Sequence, residues 1–313
     1  MAHWHDVITD QYVRNATIGY MQDAPLEVFN IFPKISVSKY NGLIAKYTKA
    51  DWFRIGSLSE YKRQGATESA GDDYNVDSQS YALEQYSFHK DVTKEDREQM
   101  ESPYEAVSDA ARFVVNRLRR VTLKVLVNEF LTSSVWGNEE TSPTAWDSTT
   151  SGVSDADPVE QMMEWKQAVE KTTGFEPNKL IITPDCYKAL RTNTKIRTRL
   201  ATNATQIVTK DLLASLFDLE QLIVLNAVNE DADDYMASNR ALLCYTPGAN
   251  RANKFEPSAG YIMTYRFGGG YDVGTRRIPM PTKNDALRIE SDMHIDPVIP
   301  AADCGYYITN LVS

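Results

Sequence analysis

Seven apolar or aromatic residues, Tyr104, Val107, Ala111, Val114, Leu118, Val121 and Val125, recur along the chain at steps of three and four. That spacing places one apolar stripe along a single face of an α-helix. The segment opens on Ser102-Pro103-Tyr104-Glu105, a capping box with proline at the first helical position. The pattern predicts a helix running to about Ser133, roughly 45 Å long at 1.5 Å per residue. Arg112, Arg117, Arg119, Arg120 and Lys124 give its other faces a cluster of positive charge. A solitary coiled coil would carry the same stripe, but the mixed pattern around it favours a long helix laid on a sheet.

The flanking patterns differ in kind. Residues 1–35 are weakly periodic and end in "LEVFNIFPKI", which predicts an extended arm held by another surface, a neighbouring subunit first of all. In 36–90, "LIAKYTKADWFRI" leads into a polar middle and "YALEQYSF" leads out. Tyr81, Leu83 and Gln85 share one face of the outgoing run, with Ala82, Glu84, Tyr86 and Phe88 on the other. Neither face is cleanly apolar, so this two-stranded ribbon needs support from elsewhere. Residues 133–158 are rich in Ser, Thr, Asp and Pro and read as a boundary loop. Asp157-Pro158 then opens a helix through Val169, with Gly174 as its stop.

"GFEPNKLIITPDCYKALR" (174–191) sets an apolar strand directly before Thr183-Pro184-Asp185 and an amphipathic helix. A helix near 209–218, a strand at 221–228, an acidic loop at 229–239 and strands at 240–246 and 258–267 follow. Together these predict a compact α/β domain of about 115 residues. Two last strands, "ALRIESDMHI" and "CGYYITNLV", are expected to return to the sheet that carries the long helix.

Composition narrows the class. The 313 residues suffice for one large domain or two ordinary ones. Hydrophobic residues at 42% and charged residues at 24% are ordinary for a folded chain. No apolar run approaches the roughly 20 residues that span a bilayer, and the N-terminus lacks the basic and apolar regions of a signal peptide. No membrane association is expected. Cys186, Cys244 and Cys304 are odd in number and far apart, which fits a reducing compartment better than a disulfide framework. The net charge of −10 argues against a protein whose main task is gripping nucleic acid.

Candidate chemistry is thin. At Thr183-Pro184-Asp185 a nucleotide-binding enzyme would carry glycines, so that backbone N–H groups could approach a phosphate. Proline supplies no N–H, and scaffolding is the better reading. Gly268-Gly269-Gly270 follows a strand and opens no helix, with Val273 where a phosphate-binding loop would keep glycine. Asp73, Asn75, Asp77 and Glu84 fall at positions 1, 3, 5 and 12 of a calcium loop, but Ser78 replaces its glycine and the flanks read as strands. His3 and His5 sit on the arm, and His89 and His294 are distant from them. No metal cluster, nucleophile elbow or singled-out carboxylate pair emerges, so no catalytic residue, cofactor or metal is expected. The cations Arg117, Arg119, Arg120 and Lys124 are expected to pair with acidic segments such as "ESAGDD", which holds Glu68, Asp72 and Asp73. Such pairing, within one chain or between neighbours, is favoured over phosphate contact in an acidic protein.

Taken in order, the arm, ribbon, long helix, separate α/β domain and return to the helix resemble a major capsid protein of a tailed bacteriophage. Its most specific pieces are "YALEQYSFHKDVTKEDRE" before the helix and "NKLIITPDCYKALRTNTKIRTRL". The resemblance implies an α+β fold of the Hong Kong 97 type, which encapsulin shells share. Residues 1–35 would be the N-terminal arm and 36–90 the extended β-ribbon loop. Residues 91–155 and 276–313 would form the peripheral domain with its spine helix, and 156–275 an α/β axial domain. The implied function is self-assembly, as pentamers and hexamers, into an icosahedral shell around double-stranded DNA, without sequence-specific binding. Scaffolding, portal and decoration proteins are the further implied partners. The implied location is the virion capsid, assembled in the host cytoplasm. Some members of that family crosslink a lysine to a neighbour's asparagine; Lys49 and Lys62 lie in the loop region, but no matched partner stands out. The chain opens at Met1 almost directly on the arm, which leads to the expectation of a separate scaffolding protein or none. An encapsulin-type compartment and an α/β enzyme are the alternatives.

Overall fold

The computed structural model describes residues 32–47, 61–62, 76–99, 103–150, 153–200, 208–226, 228, 235–248, 256–265 and 273–313. Its first part holds strands β1 (Lys34–Val37), β2 (Asn41–Tyr47), β3 (Val76–Ala82) and β4 (Glu84–Val92), then helices α1 (Lys94–Gln99) and α2 (Pro103–Phe130). Strands β5 (Asn138–Thr141), β6 (Thr149–Thr150) and β7 (Val153–Ser154) precede α3 (Pro158–Thr173) and β8 (Lys179–Ile182). Helices α4 (Pro184–Thr192), α5 (Thr194–Leu200) and α6 (Lys210–Leu216) lead to β9 (Gln221–Val224), β10 (Arg240–Cys244) and β11 (Tyr261–Tyr265). The chain closes with β12 (Val273–Met280), β13 (Ala286–Val298) and β14 (Gly305–Thr309).

The first sheet is organised around β13. Strand β4 pairs with it antiparallel from Glu84↔Ile295 to Val92↔Leu287. Strand β12 pairs with nearly the same stretch, from Val273↔Met293 to Met280↔Ala286, and therefore occupies the opposite edge. β11 pairs with the end of β13, from Tyr261↔Val298 to Thr264↔Ile295, and carries β1 alongside it in parallel. Successive side chains of β13 alternate in face, as a strand requires. Leu287 and Ile289 pack under Ala106, Val107, Ala110 and Ala111 of α2, and Met293 and Ile295 meet Val125. Arg288, Glu290, Asp292, His294 and Asp296 form a row of titratable side chains on the other face.

The long helix is present and ends at Phe130, three residues short of the expected Ser133. Its stripe begins as predicted, with Val107, Ala111, Val114 and Leu118 buried, and then departs from the prediction. Val121 is 37% exposed, while the neighbouring Thr122 is fully buried. The hydroxyl of Thr122 donates to the Leu118 carbonyl at 2.9 Å, so a polar side chain fills a core position with its donor satisfied. Beyond it the stripe widens, because Leu123, Leu126, Val127 and Phe130 enter a second core.

That second core lies against one face of the second sheet, whose order is β5-β14-β10-β8-β9. Ile181, Ile223, Leu242 and Tyr307 point to α2, whereas Leu180, Ile182, Leu222, Val224, Leu243 and Ile308 face the core shared with Met162, Trp165, Leu190 and Leu213. Burial on both faces explains why these strands read as unbroken apolar runs. The closing strand β14 belongs here. It pairs antiparallel with β10 and parallel with β5. Of the two strands expected on the helix-bearing sheet, β13 lies there and β14 does not. Tyr307 and Ile308 are adjacent and both buried, which suits a strand covered on both sides.

Helix α3 forms as its punctuation dictates. The Asp157 carboxylate accepts the N–H of Val159, Pro158 takes the first turn, and Gly174 closes the helix at φ 76°. The outgoing ribbon run, expected as one strand, divides at Leu83. β3 pairs with β2 from Asn41↔Ala82 to Tyr47↔Val76, and β4 turns to β13. The ribbon tip, residues 1–31 of the N-terminal arm and the triple glycine lie outside the described residues.

Candidate assembly surface

Steps of three and four along α2 put Phe113, Arg117, Arg120, Val121 and Lys124 on the face turned away from the sheet. Phe113 is 46% exposed and tilts against Phe88 of β4, with ring centroids 5.8 Å apart. Arg112 lies 3.9 Å from Asp109 one turn earlier. Arg120 donates to the Val228 carbonyl at 3.3 Å. Val228 and Tyr235, which pair as a single bridge, are themselves exposed apolar residues. They flank the acidic segment "NEDADD" (229–234), of which only this stem is described.

The structure thus divides the predicted cation cluster. Arg117, Arg120 and Lys124 share the outer face, but Arg119 turns inward and is only 9% exposed, with burial lowering its pKa. Glu68, Asp72 and Asp73, the expected acidic counterparts, lie outside the described residues. Among the described residues, the acidic segment whose stem stands beside Arg120 is 229–234, part of the acidic loop expected at 229–239. Exposed Val121 was placed in the apolar stripe, because an apolar residue in a helical repeat is indistinguishable from a core residue until its partner face is known, and exposed Phe113 was not singled out.

The opposite face of the sheet carries an ion-pair ladder. Arg288 binds both oxygens of Asp91, at 2.7 and 3.0 Å, and these bonds hold the Asp91 carboxyl below its usual range. Arg276 reaches Glu290 at 2.5 Å and Asp292 at 3.0 Å. The row was legible in "ALRIESDMHI", where charged and apolar residues alternate with a period of two.

The remaining candidates resolve into structural roles. At the β8–α4 turn the Thr183 hydroxyl lies 3.2 Å from both the Arg240 carbonyl and Cys186 Sγ. Asp185 accepts the backbone N–H of Asn239. Of the calcium-loop pattern, Asp73 and Asn75 lie outside the described residues. Asp77 accepts the N–H of Ser78, and Glu84 accepts the Tyr86 hydroxyl. Both sit on strands. His3, His5 and Lys49 are also outside the described residues, and Lys62 is exposed. Among the described residues, no group of three His, Cys, Asp or Glu side chains is placed to hold a metal ion. The three cysteines are free and buried, and burial raises each thiol to about 12.

No family model matches the chain. It is 25% identical over 317 residues to the major capsid protein of Burkholderia phage BcepMu, covering 97% of each. Among solved structures it resembles a phage-related protein from Bordetella bronchiseptica, with a TM-score of 0.72 at 19% identity, covering 97% of this chain and 98% of the other. It also resembles the SrpI encapsulin of Synechococcus elongatus, with a TM-score of 0.59 at 11% identity over 92% and 88% of the two chains. The fold is therefore the α+β capsid-type fold that the order of elements suggested.

Proposed function

We propose that this chain is a major capsid protein, a structural subunit that assembles with its own copies into the closed head shell of a tailed bacteriophage. One observation carries the reading: the similarity to a phage major capsid protein spans 97% of both chains, so no separate catalytic domain accounts for part of the length. The role is structural and not enzymatic. Its place is the virion capsid, with assembly in the host cytoplasm.

The finer organisation follows the same reading. The second sheet and helices α3–α6 form the axial domain, centred on 156–275, and borrow β5 and β14 by strand pairing. The first sheet and α2 form the peripheral domain, centred on 91–155 and 276–313 and completed by β1, β4 and β11, with β2 and β3 as the root of the extended loop and 1–35 as the arm. Subunits gather as pentamers and hexamers around double-stranded DNA, and scaffolding, portal and decoration proteins complete the particle. The outer face of α2, with Arg117, Arg120 and Lys124, takes an acidic loop segment of a neighbour that includes Glu68, Asp72 and Asp73. Each contact is modest, and closure of a symmetric shell multiplies them through effective concentration.

Negative-stain electron microscopy with light scattering tests the reading, on the protein alone and with its scaffolding protein. Closed shells, tubes or rings of five and six support it. A protein that stays monomeric under both conditions at high concentration overturns it. The encapsulin likeness supplies the second reading; small shells that hold a cargo enzyme by a peptide on the inner wall would favour that one.

A further inference from the structure

The ribbon meets the first sheet without entering its ladder. Among the described residues, β2 and β3 pair only with each other, and Leu83 alone separates Ala82, the last residue paired with β2, from Glu84, the first paired with β13. The pairing stops for a backbone reason. Extending the β4–β13 register by two residues would set Ala82 against Pro297. Ile262 gives its N–H to the Pro33 carbonyl on the β1 side, so Pro297 opposite it turns its backbone toward the ribbon, where proline has no N–H to donate. The neighbouring side chain supplies a link instead. Ala82 N–H donates to Oδ2 of Asp296 at 2.8 Å, and the next amide, Leu83 N–H, turns the other way to the Tyr40 carbonyl at 2.8 Å.

Side chains close around this bond. Ile44, Tyr81 and Leu83 pack with Ile35, Tyr261, Met263 and Val298 of the first sheet, in a small core separate from those under α2. The Tyr40 ring stacks on Tyr265 with centroids 4.6 Å apart and meets His294 edge-on at 5.0 Å. Apolar burial of this kind presses the ribbon root onto the sheet but is non-directional. A hydrogen bond is directional and weakens steeply as its angle departs from linear. Asp296 is also firmly based, since Ile295 and Pro297 on either side of it are both paired with β11.

We propose that Asp296 is the positioning residue of the ribbon, a side-chain latch on the Ala82 N–H that sets the direction in which β2 and β3 leave the sheet. The small apolar core holds the root down, and the latch fixes its angle. The direction is thus set inside a single subunit before any neighbour is met. The joint itself does not depend on the shell reading. Its use does rest on that reading: a neighbour would meet a ribbon already aimed, with the ordering cost met in folding and not at assembly.

Two measurements on the unassembled full chain test the latch, each on the parent, Asp296→Ala and Asp296→Asn. Asparagine keeps a carbonyl oxygen for the Ala82 N–H, and alanine does not. In hydrogen exchange, fragments covering 76–86 are expected to lose protection severalfold in Asp296→Ala and to keep it in Asp296→Asn, while a fragment covering β8 stays level in both. Direction is read separately by paired nitroxide labels at Ser78→Cys and Lys283→Cys, two exposed positions in a chain whose own cysteines are buried. The distance distribution should be narrow in the parent and in Asp296→Asn and broad in Asp296→Ala. A distribution as narrow in Asp296→Ala as in the parent overturns the proposal, as does an Asp296→Asn variant that behaves like Asp296→Ala. Protection lost equally at β8 also overturns it, since Asp296 would then serve the whole fold and not the joint.

Discussion

The carboxylate of Asp185 accepts the backbone N–H of Asn239, and the Asn239 side chain in turn donates to the Val312 carbonyl and accepts from its N–H, both at 2.7 Å. The turn after β8 is thereby tied to the start of β10 and to the chain's C-terminal residues. The proline-bearing strand-to-helix junction thus has a structural role. Asn239 has φ 54°, which asparagine tolerates far better than most residues. Asn239→Ala removes both hydrogen bonds and adds backbone strain, for an expected loss of about 2–3 kcal/mol. Urea unfolding of the unassembled protein should show this as a lower midpoint at unchanged slope.

Asp91 predicts a pH dependence of stability. Its carboxyl is lowered first by the hydrogen bond from Arg288, an effect that outweighs its burial. A lowered carboxyl contributes stability that is present above the unfolded value and is lost as pH falls through the lowered one. The loss therefore begins below about 3.8. Both partners are partly exposed, so Asp91→Asn should cost only about 1 kcal/mol at pH 7. At pH 2 the variant and the parent should unfold at similar urea concentrations. A difference that persists undiminished there would mean that Asp91 acts through packing instead.

How much of this was legible follows from what periodicity can and cannot encode. The punctuation of α3 was readable because Asp157, Pro158 and Gly174 act within one turn of their own chain. The buried strands "KLII" and "QLIV" were readable as strands, but not the sheet they join, since partner choice is a long-range property. For that reason β14 was assigned to the wrong sheet. Along α2 the prediction followed Val121, while the structure follows Thr122, whose local hydrogen bond hides its polarity. The ribbon root was invisible for a related reason: Asp296 acts on Ala82 through folding alone. The cation cluster was legible as charge, but its division by the inward turn of Arg119 was not.

Gly305 offers a steric test. A Cβ built there lies 2.2 Å from Cε3 of Trp136. That indole cannot easily move, since its Nε1 donates to the Phe130 carbonyl at 2.9 Å and its ring fills the second core. Gly305→Ala should cost roughly 1–3 kcal/mol by overpacking. Gly248→Ala, where a Cβ meets nothing within 4 Å, serves as the neutral control. Equal melting temperatures for the two variants would show that the β14 edge yields more readily than its contacts imply.

The outer face of α2 separates folding from assembly. Leu118 is buried at 1% exposure, so Leu118→Ala should destabilise the subunit by about 2–5 kcal/mol. Arg117 and Lys124 stand on the outer face, and Lys124 is exposed. Arg117→Glu with Lys124→Glu should change subunit stability by no more than about 0.5–1 kcal/mol. If the face takes a neighbour's acidic segment, the same pair should abolish or severely slow shell formation, read by light scattering. Attraction between exposed charges weakens as the screening length falls to about 3 Å at 1 M salt, so assembly of the unmodified protein should slow in concentrated salt. The reversed-charge variant should lose part of its repulsion in the same salt and recover relative to the parent. Shells that form from it at the parental rate, at low and high salt alike, would remove this face from the assembly contacts and leave the apolar pair Phe113 and Val121 to be tested alone.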